Sequence, residues 1–177
     1  CRLLTKLEFI EDGQLTHKGE FARHIFVDEI SLTEIFATGL YTEFNEYQLL
    51  LTLGSLVYEP RDTTRFKQIF RDEVKPLQKR LMDIDALRKD KKFKNLLEVT
   101  ALTLPLYHDG FFGVLKNTNL LEGDVIRFYG QILDRLGQLK KASISQELKH
   151  TVNNLTDFIM EKLEGIYDFD YIFISKP

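Results

Sequence analysis

Residues 121–139 constrain the fold of this chain more than any other stretch. Apolar side chains recur there at the three- and four-residue intervals of a helix, and they widen into a stripe that covers much of its circumference. A helix of that kind is surrounded by other helices. The sequence therefore predicts a helix from Asp124 to about Ala142 at the centre of a bundle, and its stripe consists of Val125, Ile126, Phe128, Tyr129, Ile132, Leu133, Leu136 and Leu139.

Small and polar residues interrupt this stripe. Gly130 and Gly137 are seven apart and share one face, although each costs about 1 kcal/mol relative to alanine in a helix interior. We expect another helix or a ligand to approach closely there.

Asp124 is a suitable N-cap, because its carboxylate accepts hydrogen bonds from free backbone N–H groups. Arg127 then falls in the first turn, where the residues alone indicate a solvated side chain whose stem covers apolar surface.

Length and composition indicate one domain spanning residues 1–177. The apolar fraction of 44% and the charged fraction of 29% are ordinary for a globular protein with a real core. A net charge of −3 argues against nucleic-acid binding by bulk electrostatics, but it allows a channel lining inside a larger basic assembly. Because the chain starts at Cys1 rather than at Met, we expect it to be a piece of a longer protein. Without a long apolar run or a secretory signal, we expect an intracellular, cytoplasmic protein that binds no membrane.

Capping residues and prolines mark the bounds of further helices. The first expected helix runs from a capping box at Ser31 to near Gly39, and the second runs from Asn45 to just before Pro60. The third begins at Asp62 and restarts at Pro76, and the fourth begins at Phe93 and breaks near Pro105. A further helix runs from a capping box at Ser143 to near Gly165. Together with the helix from Asp124, they predict an all-α bundle of about six or seven helices.

The two ends of the chain carry weaker signals. Asp12-Gly13 lies between two short apolar pieces, which favours a short N-terminal β-hairpin. Thr16 can cap a short helix after it. The tail from Tyr167 to Pro177 alternates aromatic and acidic residues, which indicates a strand or a docked extended end.

The sequence predicts no active site and no metal site in this chain. It contains neither a Walker-type phosphate loop nor a GxGxxG motif. The four histidines are scattered without ligand spacing, and the His108-Asp109 pair is typical of a turn. The charged run from Lys89 to Lys92 has two interpretations, a solvated helix end or a patch that contacts phosphate.

Five motifs in order resemble one family. They are Leu15-Thr16-His17-Lys18-Gly19-Glu20-Phe21-Ala22, Asp28-Glu29-Ile30-Ser31-Leu32-Thr33-Glu34 running to Gly39, Leu56-Val57-Tyr58-Glu59, Leu121-Glu122-Gly123-Asp124-Val125-Ile126-Arg127, and Leu133-Asp134-Arg135-Leu136-Gly137-Gln138-Leu139. From about Leu7 to Ile166 the chain resembles the DSHCT domain, the C-terminal helical domain of superkiller-type DExH-box RNA helicases. It departs from the family pattern at Asp124, which replaces a small hydroxyl residue, in a shorter segment from Phe93 to Asn119, and in its lack of tryptophan.

The resemblance implies a role inside a helicase. ATP and Mg would bind to RecA-like domains upstream of this chain, which would pack on the helical domain, so the ATP-dependent helicase activity would belong to the full-length protein. The helical domain would line the channel for single-stranded RNA or DNA. The matching positions implied to contact nucleic acid are Arg127 and Glu59, with Gln131 one turn after Arg127 as a further candidate. For Glu59 a solvated carboxylate near a helix end is an equal interpretation.

Two other classes of function stay open at this point. One is a protein-docking module that binds a nuclease or adaptor partner without direct RNA contact, which the acidic net charge and the aromatic-acidic tail favour. It would show a contiguous exposed apolar patch and no basic groove at Arg127. The other is a winged-helix regulator with a helical effector domain. It would need a three-helix DNA-reading unit with basic residues, and the first 30 residues are too short to form one.

Overall fold

The computed structural model describes residues 10–11, 14–15, 30–88, 90–142 and 145–166. Seven α-helices lie in these ranges: α1 (Ile30–Ala37), α2 (Glu46–Val57), α3 (Lys75–Met82), α4 (Asp85–Arg88), α5 (Leu96–Lys116), α6 (Glu122–Lys141) and α7 (Gln146–Leu163). Short 3-10 helices occupy Leu40–Glu43, Arg71–Glu73 and Lys91–Asn95. Two strands, β1 (Ile10–Glu11) and β2 (Gln14–Leu15), pair antiparallel. The prediction of an all-α bundle with a short N-terminal hairpin is confirmed, while the helix expected after Thr16 and the tail from Tyr167 lie outside the described residues.

Helix α2 occupies the centre of the bundle. All nine residues from Leu49 to Val57 are buried, and the helix packs against α5, α6 and α7. It can be buried all round because its sequence carries no charged residue after Glu46. Helix α6 also packs against α2, α5 and α7, but one face, with Arg127, Asp134 and Lys141, is exposed. The sequence predicted that α6 is the central helix of the bundle. That prediction is wrong, since α2 is the more deeply buried of the two helices.

Helix α6 begins two residues earlier than the sequence predicted. Its first residue is Glu122 and its N-cap is Leu121, whose side chain makes no capping hydrogen bond. Asp124 is the third helical residue rather than the cap, and Arg127 consequently lies in the second turn. The acidic residues Glu122 and Asp124 in the first turn interact favourably with the positive end of the helix dipole.

Close helix packing occurs at a glycine other than the two that the sequence indicated. A Cβ atom at Gly54 of α2 would lie 2.7 Å from Cγ1 of Val99 and 3.1 Å from Cζ of Phe128. Gly54 therefore lets α2 contact α5 and α6 closely. Gly130 is buried, but a Cβ atom at Gly137 would meet nothing within 4 Å among the described residues. The expectation of close approach at Gly137 is wrong for the described part of the chain, because no residue there lies within 4 Å of that Cβ position.

The break in helix α5 lies at Gly110, in the His108-Asp109-Gly110 stretch where the sequence predicts a turn, and not near Pro105. Gly110 has φ 72° and ψ −162°, a backbone conformation that is essentially restricted to glycine. Pro105 stays inside the helix although it has no N–H group to donate to the carbonyl of Ala101. The side-chain amide of Asn117 donates to that carbonyl instead, over 3.0 Å. A tertiary contact thus replaces the helical hydrogen bond that proline removes.

The segment from Asp62 to Phe70 is not the helix that the sequence predicted. It lies against the turn after α5, where Phe66 forms a β-bridge with Thr118. The side chain of Asn117 accepts from the backbone N–H of Gln68 and donates to the carbonyl of the same residue. The side chain of Asn119 accepts from the N–H of Arg65 and donates to the carbonyl of Thr63. These amides supply the hydrogen bonds that a helix would have made internally. The expected restart at Pro76 is confirmed, because Pro76 lies in the first turn of α3.

The capping predictions have mixed outcomes. Asn45 forms a full capping box with Gln48 at the start of α2, as the sequence predicted. Ser31 is the second residue of α1, which therefore begins before the predicted cap position. The cap of α7 is Ser145 rather than Ser143, and its hydroxyl accepts from the N–H of Leu148. None of the helices in the described ranges is both long and apolar enough to cross a membrane.

Candidate nucleic-acid interface

A surface concavity lies between the end of α2 and the first turns of α6. Helix α2 stops at Val57, and Tyr58 is already extended, with φ −70° and ψ 130°. Pro60 explains this stop, because a proline disfavours helical backbone at the residue before it and lacks an N–H group. The chain leaves α2 along one wall of the concavity, and the side chains of Glu59 and Arg61 line that wall.

The opposite wall belongs to α6. Asp124, Arg127 and Gln131 are spaced by three and four residues, so they lie on one face of the helix, and all three line the concavity. Arg127 is exposed, and Gln131 is half-buried. The structure therefore brings together Glu59, Arg127 and Gln131, the three residues that the sequence analysis identified. Arg127 is accessible to solvent, as the sequence indicated, while the binding of nucleic acid by these three residues stays a prediction.

The floor of the concavity is apolar and aromatic. Tyr58, Phe128 and Leu120 contribute to it, and the rings of Tyr58 and Phe128 meet edge to face with centroids 6.4 Å apart. Burial raises the pKa of Tyr58 above its ordinary value, and the nearby carboxylate of Glu98 raises it further. The Tyr58 hydroxyl has no hydrogen-bond partner of normal geometry in the described part of the chain. The floor is therefore apolar, and its two rings are themselves largely buried, with Tyr58 8% and Phe128 6% exposed.

Sequence reasoning missed an ion pair that joins the two walls. Nη2 of Arg61 lies 3.6 Å from Oδ1 of Asp124, and the side chains are 52% and 19% exposed. No local pattern connects these two residues, because they are distant in sequence. The one available signal was the position of Arg61, two residues after Glu59 in a segment that Pro60 keeps out of the helix.

The charges around the concavity balance. Glu59 and Asp124 oppose Arg61 and Arg127, so the formal sum is zero. Asp124 is paired with Arg61, whereas the side chains of Glu59 and Arg127 form no hydrogen bond or ion pair with any described residue. Arg127 thus presents a free guanidinium and Glu59 a free carboxylate above an aromatic floor. This arrangement suits discrete donor and acceptor contacts better than bulk attraction of an anion.

Of the charged run from Lys89 to Lys92, Lys89 lies outside the described residues, and the two lysines at 91 and 92 do not contribute to this surface. Lys91 and Lys92 are exposed at the start of a 3-10 helix that Asp90 caps. Neither of them lines the concavity. Their placement is that of a solvated helix end, which was one of the two interpretations of the run.

The family model described as the DSHCT (NUC185) domain matches residues 12–162. That range includes every residue that lines the concavity. A comparison with curated protein sequences gives no match.

Proposed function

This chain belongs to the DSHCT (NUC185) domain family, and on that premise we propose that it lines the passage for single-stranded RNA in an ATP-dependent DExH-box RNA helicase. The DSHCT domain is found in superkiller-type helicases, which associates the chain with helicases in general. In our proposal, RecA-like domains that bind ATP and Mg pack on this helical domain, and the concavity contacts the RNA strand as it moves.

The observation that carries the proposal is the convergence of Glu59, Arg127 and Gln131 on one concavity. Glu59 follows α2, whereas Arg127 and Gln131 lie on α6, far along the sequence, and all three line the same concavity. A planar guanidinium can stack on a base or donate to a phosphate. A carboxylate accepts from base amino groups, and a primary amide does both.

The balanced charge of the concavity suits a moving strand. A strongly basic surface would bind phosphates tightly and release them poorly, with a steep dependence on salt. A neutral set of donors and acceptors gives weaker contacts that can be exchanged from one nucleotide to the next. We infer that the tight binding of RNA is supplied mainly elsewhere in the helicase, and that this wall guides the strand.

Replacing Arg127 by alanine in the full-length helicase tests the proposal. We expect RNA affinity or RNA-stimulated ATPase activity to weaken by about 1–3 kcal/mol equivalent. Stability should change by less than about 0.5 kcal/mol, because the side chain is exposed. RNA titration and thermal unfolding are measured on the same preparation.

Arg71→Ala is the matched control. Arg71 is exposed on the 3-10 helix Arg71–Glu73 and does not line the concavity, so the same truncation there should leave RNA affinity unchanged. Equal RNA affinity for the Arg127 variant and the wild type would remove Arg127 from the interface. A large melting shift with normal affinity per folded molecule would instead assign it a structural role.

The protein-docking alternative has less support. Three large apolar side chains among the described residues are exposed: Met82, Phe112 and Leu121. Each belongs to a different element, and none lines the concavity. Single exposed apolar residues are normal on soluble proteins. The formal charges of the concavity sum to zero, so the absence of a basic groove fits a docking module, whereas the scattered apolar residues do not.

A further inference from the structure

We propose that Arg61 is a second RNA contact in the concavity, that it binds a phosphate of the strand, and that Asp124 competes with that phosphate for its guanidinium. This inference rests on the proposed function, because it assigns a role to a residue of the same surface. It predicts that the two partners of one ion pair have opposite effects on RNA affinity, which a structural ion pair would not produce.

The geometry of the pair leaves Arg61 available. The Nη2–Oδ1 distance of 3.6 Å is long for a charge-assisted hydrogen bond, which is usually nearer 2.7–2.9 Å. Arginine carries five N–H donors, so one carboxylate at this distance leaves most of them unused. The side chain is 52% exposed and can turn outward. Asp124 is held in the first turn of α6 and is only 19% exposed, so it stays behind when Arg61 moves.

The position of Arg61 matches that of Arg127 across the concavity. Arg61 lies on the wall that follows α2, and Arg127 lies on α6. A strand lying between the walls would meet one guanidinium on each side. Guanidinium groups bind phosphate oxygens through two parallel N–H bonds, a geometry that a point charge such as Lys does not offer.

Asp124 acts against this contact in two ways. In the unbound protein it holds Arg61, so a phosphate must displace a carboxylate to bind. In the bound state its negative charge faces the phosphate that replaced it. The half-exposed pair contributes little to folding, because surface ion pairs are weak. In this proposal the ion pair keeps Arg61 at the concavity, and the carboxylate of Asp124 makes the contact between Arg61 and the phosphate readily reversible.

Opposite substitutions test the proposal. The affinity of the full-length helicase for a fluorescently labelled single-stranded RNA of mixed sequence is measured over a range of salt concentrations. Arg61→Gln should raise Kd about fivefold or more and reduce the slope of log Kd against log salt by about 0.7, since one phosphate contact with a single strand is lost. Asp124→Asn should lower Kd about two- to fivefold, because it removes the competing charge while keeping the side-chain shape.

Matched variants separate this inference from the proposed function. Arg61→Lys keeps the charge and should retain the wild-type salt slope, whereas Arg71→Gln lies outside the concavity and should change neither Kd nor slope. Weaker binding by Asp124→Asn, or unchanged binding by Arg61→Gln while Arg127→Ala weakens it, overturns the role of Arg61 and leaves the proposed function standing. No effect from either arginine variant overturns both. Thermal unfolding of each variant confirms that affinities refer to folded protein.

Discussion

At the scale of single residues, the interior of the bundle holds several tyrosines in their neutral form. The fully buried Tyr129 donates its hydroxyl proton to the carbonyl of Leu102 over 2.5 Å. Tyr47 bonds with Thr103 over 3.0 Å, and the ring of Tyr107 stacks on Phe158 with centroids 4.2 Å apart. Burial raises the pKa of Tyr129 well above its ordinary value, because a phenolate there would lose its hydration.

This shift predicts alkaline sensitivity with a definite sign. Above about pH 10 the unfolded chain ionises Tyr129 while the folded protein keeps it neutral, so the free energy of unfolding falls as pH rises. Tyr129→Phe should lower stability at pH 7 by about 1 kcal/mol through the lost hydrogen bond. At alkaline pH its stability should fall less steeply than that of the wild type, by about 1.4 kcal/mol per pH unit.

Urea unfolding of both proteins from pH 7 to pH 11 measures the two effects. Parallel pH profiles for the variant and the wild type would show that Tyr129 ionises alike in the folded and unfolded states. That result would contradict the burial-driven shift.

At the scale of elements, α2 is buried so completely because a glycine replaces a side chain where three helices meet. The backbone of α2 at Gly54 lies against Val99 of α5 and Phe128 of α6. Val99 is fully buried and β-branched, so it has little freedom to move away. Phe128 also forms part of the floor of the concavity. The contact at Gly54 therefore helps to set the distance between α2 and the wall that carries Arg127.

Two glycine-to-alanine substitutions should have opposite effects. Gly54→Ala would place a methyl group 2.7 Å from Val99 Cγ1, so we expect a net loss of about 1–3 kcal/mol from overpacking. Gly137→Ala faces open space on α6 and should raise stability by up to about 1 kcal/mol through helix propensity. Chemical denaturation of both variants measures the difference. Stabilisation by Gly54→Ala would show that the three helices do not meet closely at that position.

At the scale of the whole molecule, the concavity exists because the turn after α5 holds the segment that follows α2. Asn117 and Asn119 bond to the backbone of that segment from positions 49 to 56 residues away. The N–H of Phe70 donates to the hydroxyl of Thr100 and attaches the far end of the segment to α5. This clamp places Glu59 and Arg61 opposite α6.

The isolated chain should hydrolyse no ATP. Its sequence has no glycine-rich loop of the kind that cradles phosphates, and the proposed function assigns ATP to other domains. ATP turnover by the purified chain, with and without single-stranded RNA, measures this. Turnover that persists through stringent purification and follows the chain on a sizing column would overturn the proposed division of labour.

The sequence by itself determined the helical class, the buried α2 and the capping box at Asn45. These features are local, because a capping hydrogen bond spans three residues and the apolar period of a helix repeats every three or four. The resemblance of the motifs also identified Glu59 and Arg127, and helical spacing from Arg127 added Gln131. The sequence could not predict that α2 is more deeply buried than α6, because an apolar run does not reveal how many neighbouring helices surround it.

Only the tertiary structure decided the path of residues 62–70, the survival of α5 through Pro105 and the pairing of Arg61 with Asp124. In the first two cases the decisive hydrogen bonds come from Asn117 and Asn119, whose amides satisfy backbone groups that local rules treat as unpaired. In the third, an ion pair forms between walls that meet only after folding. Local propensity could not predict these contacts, because each depends on a partner that the chain brings near only when the core has packed.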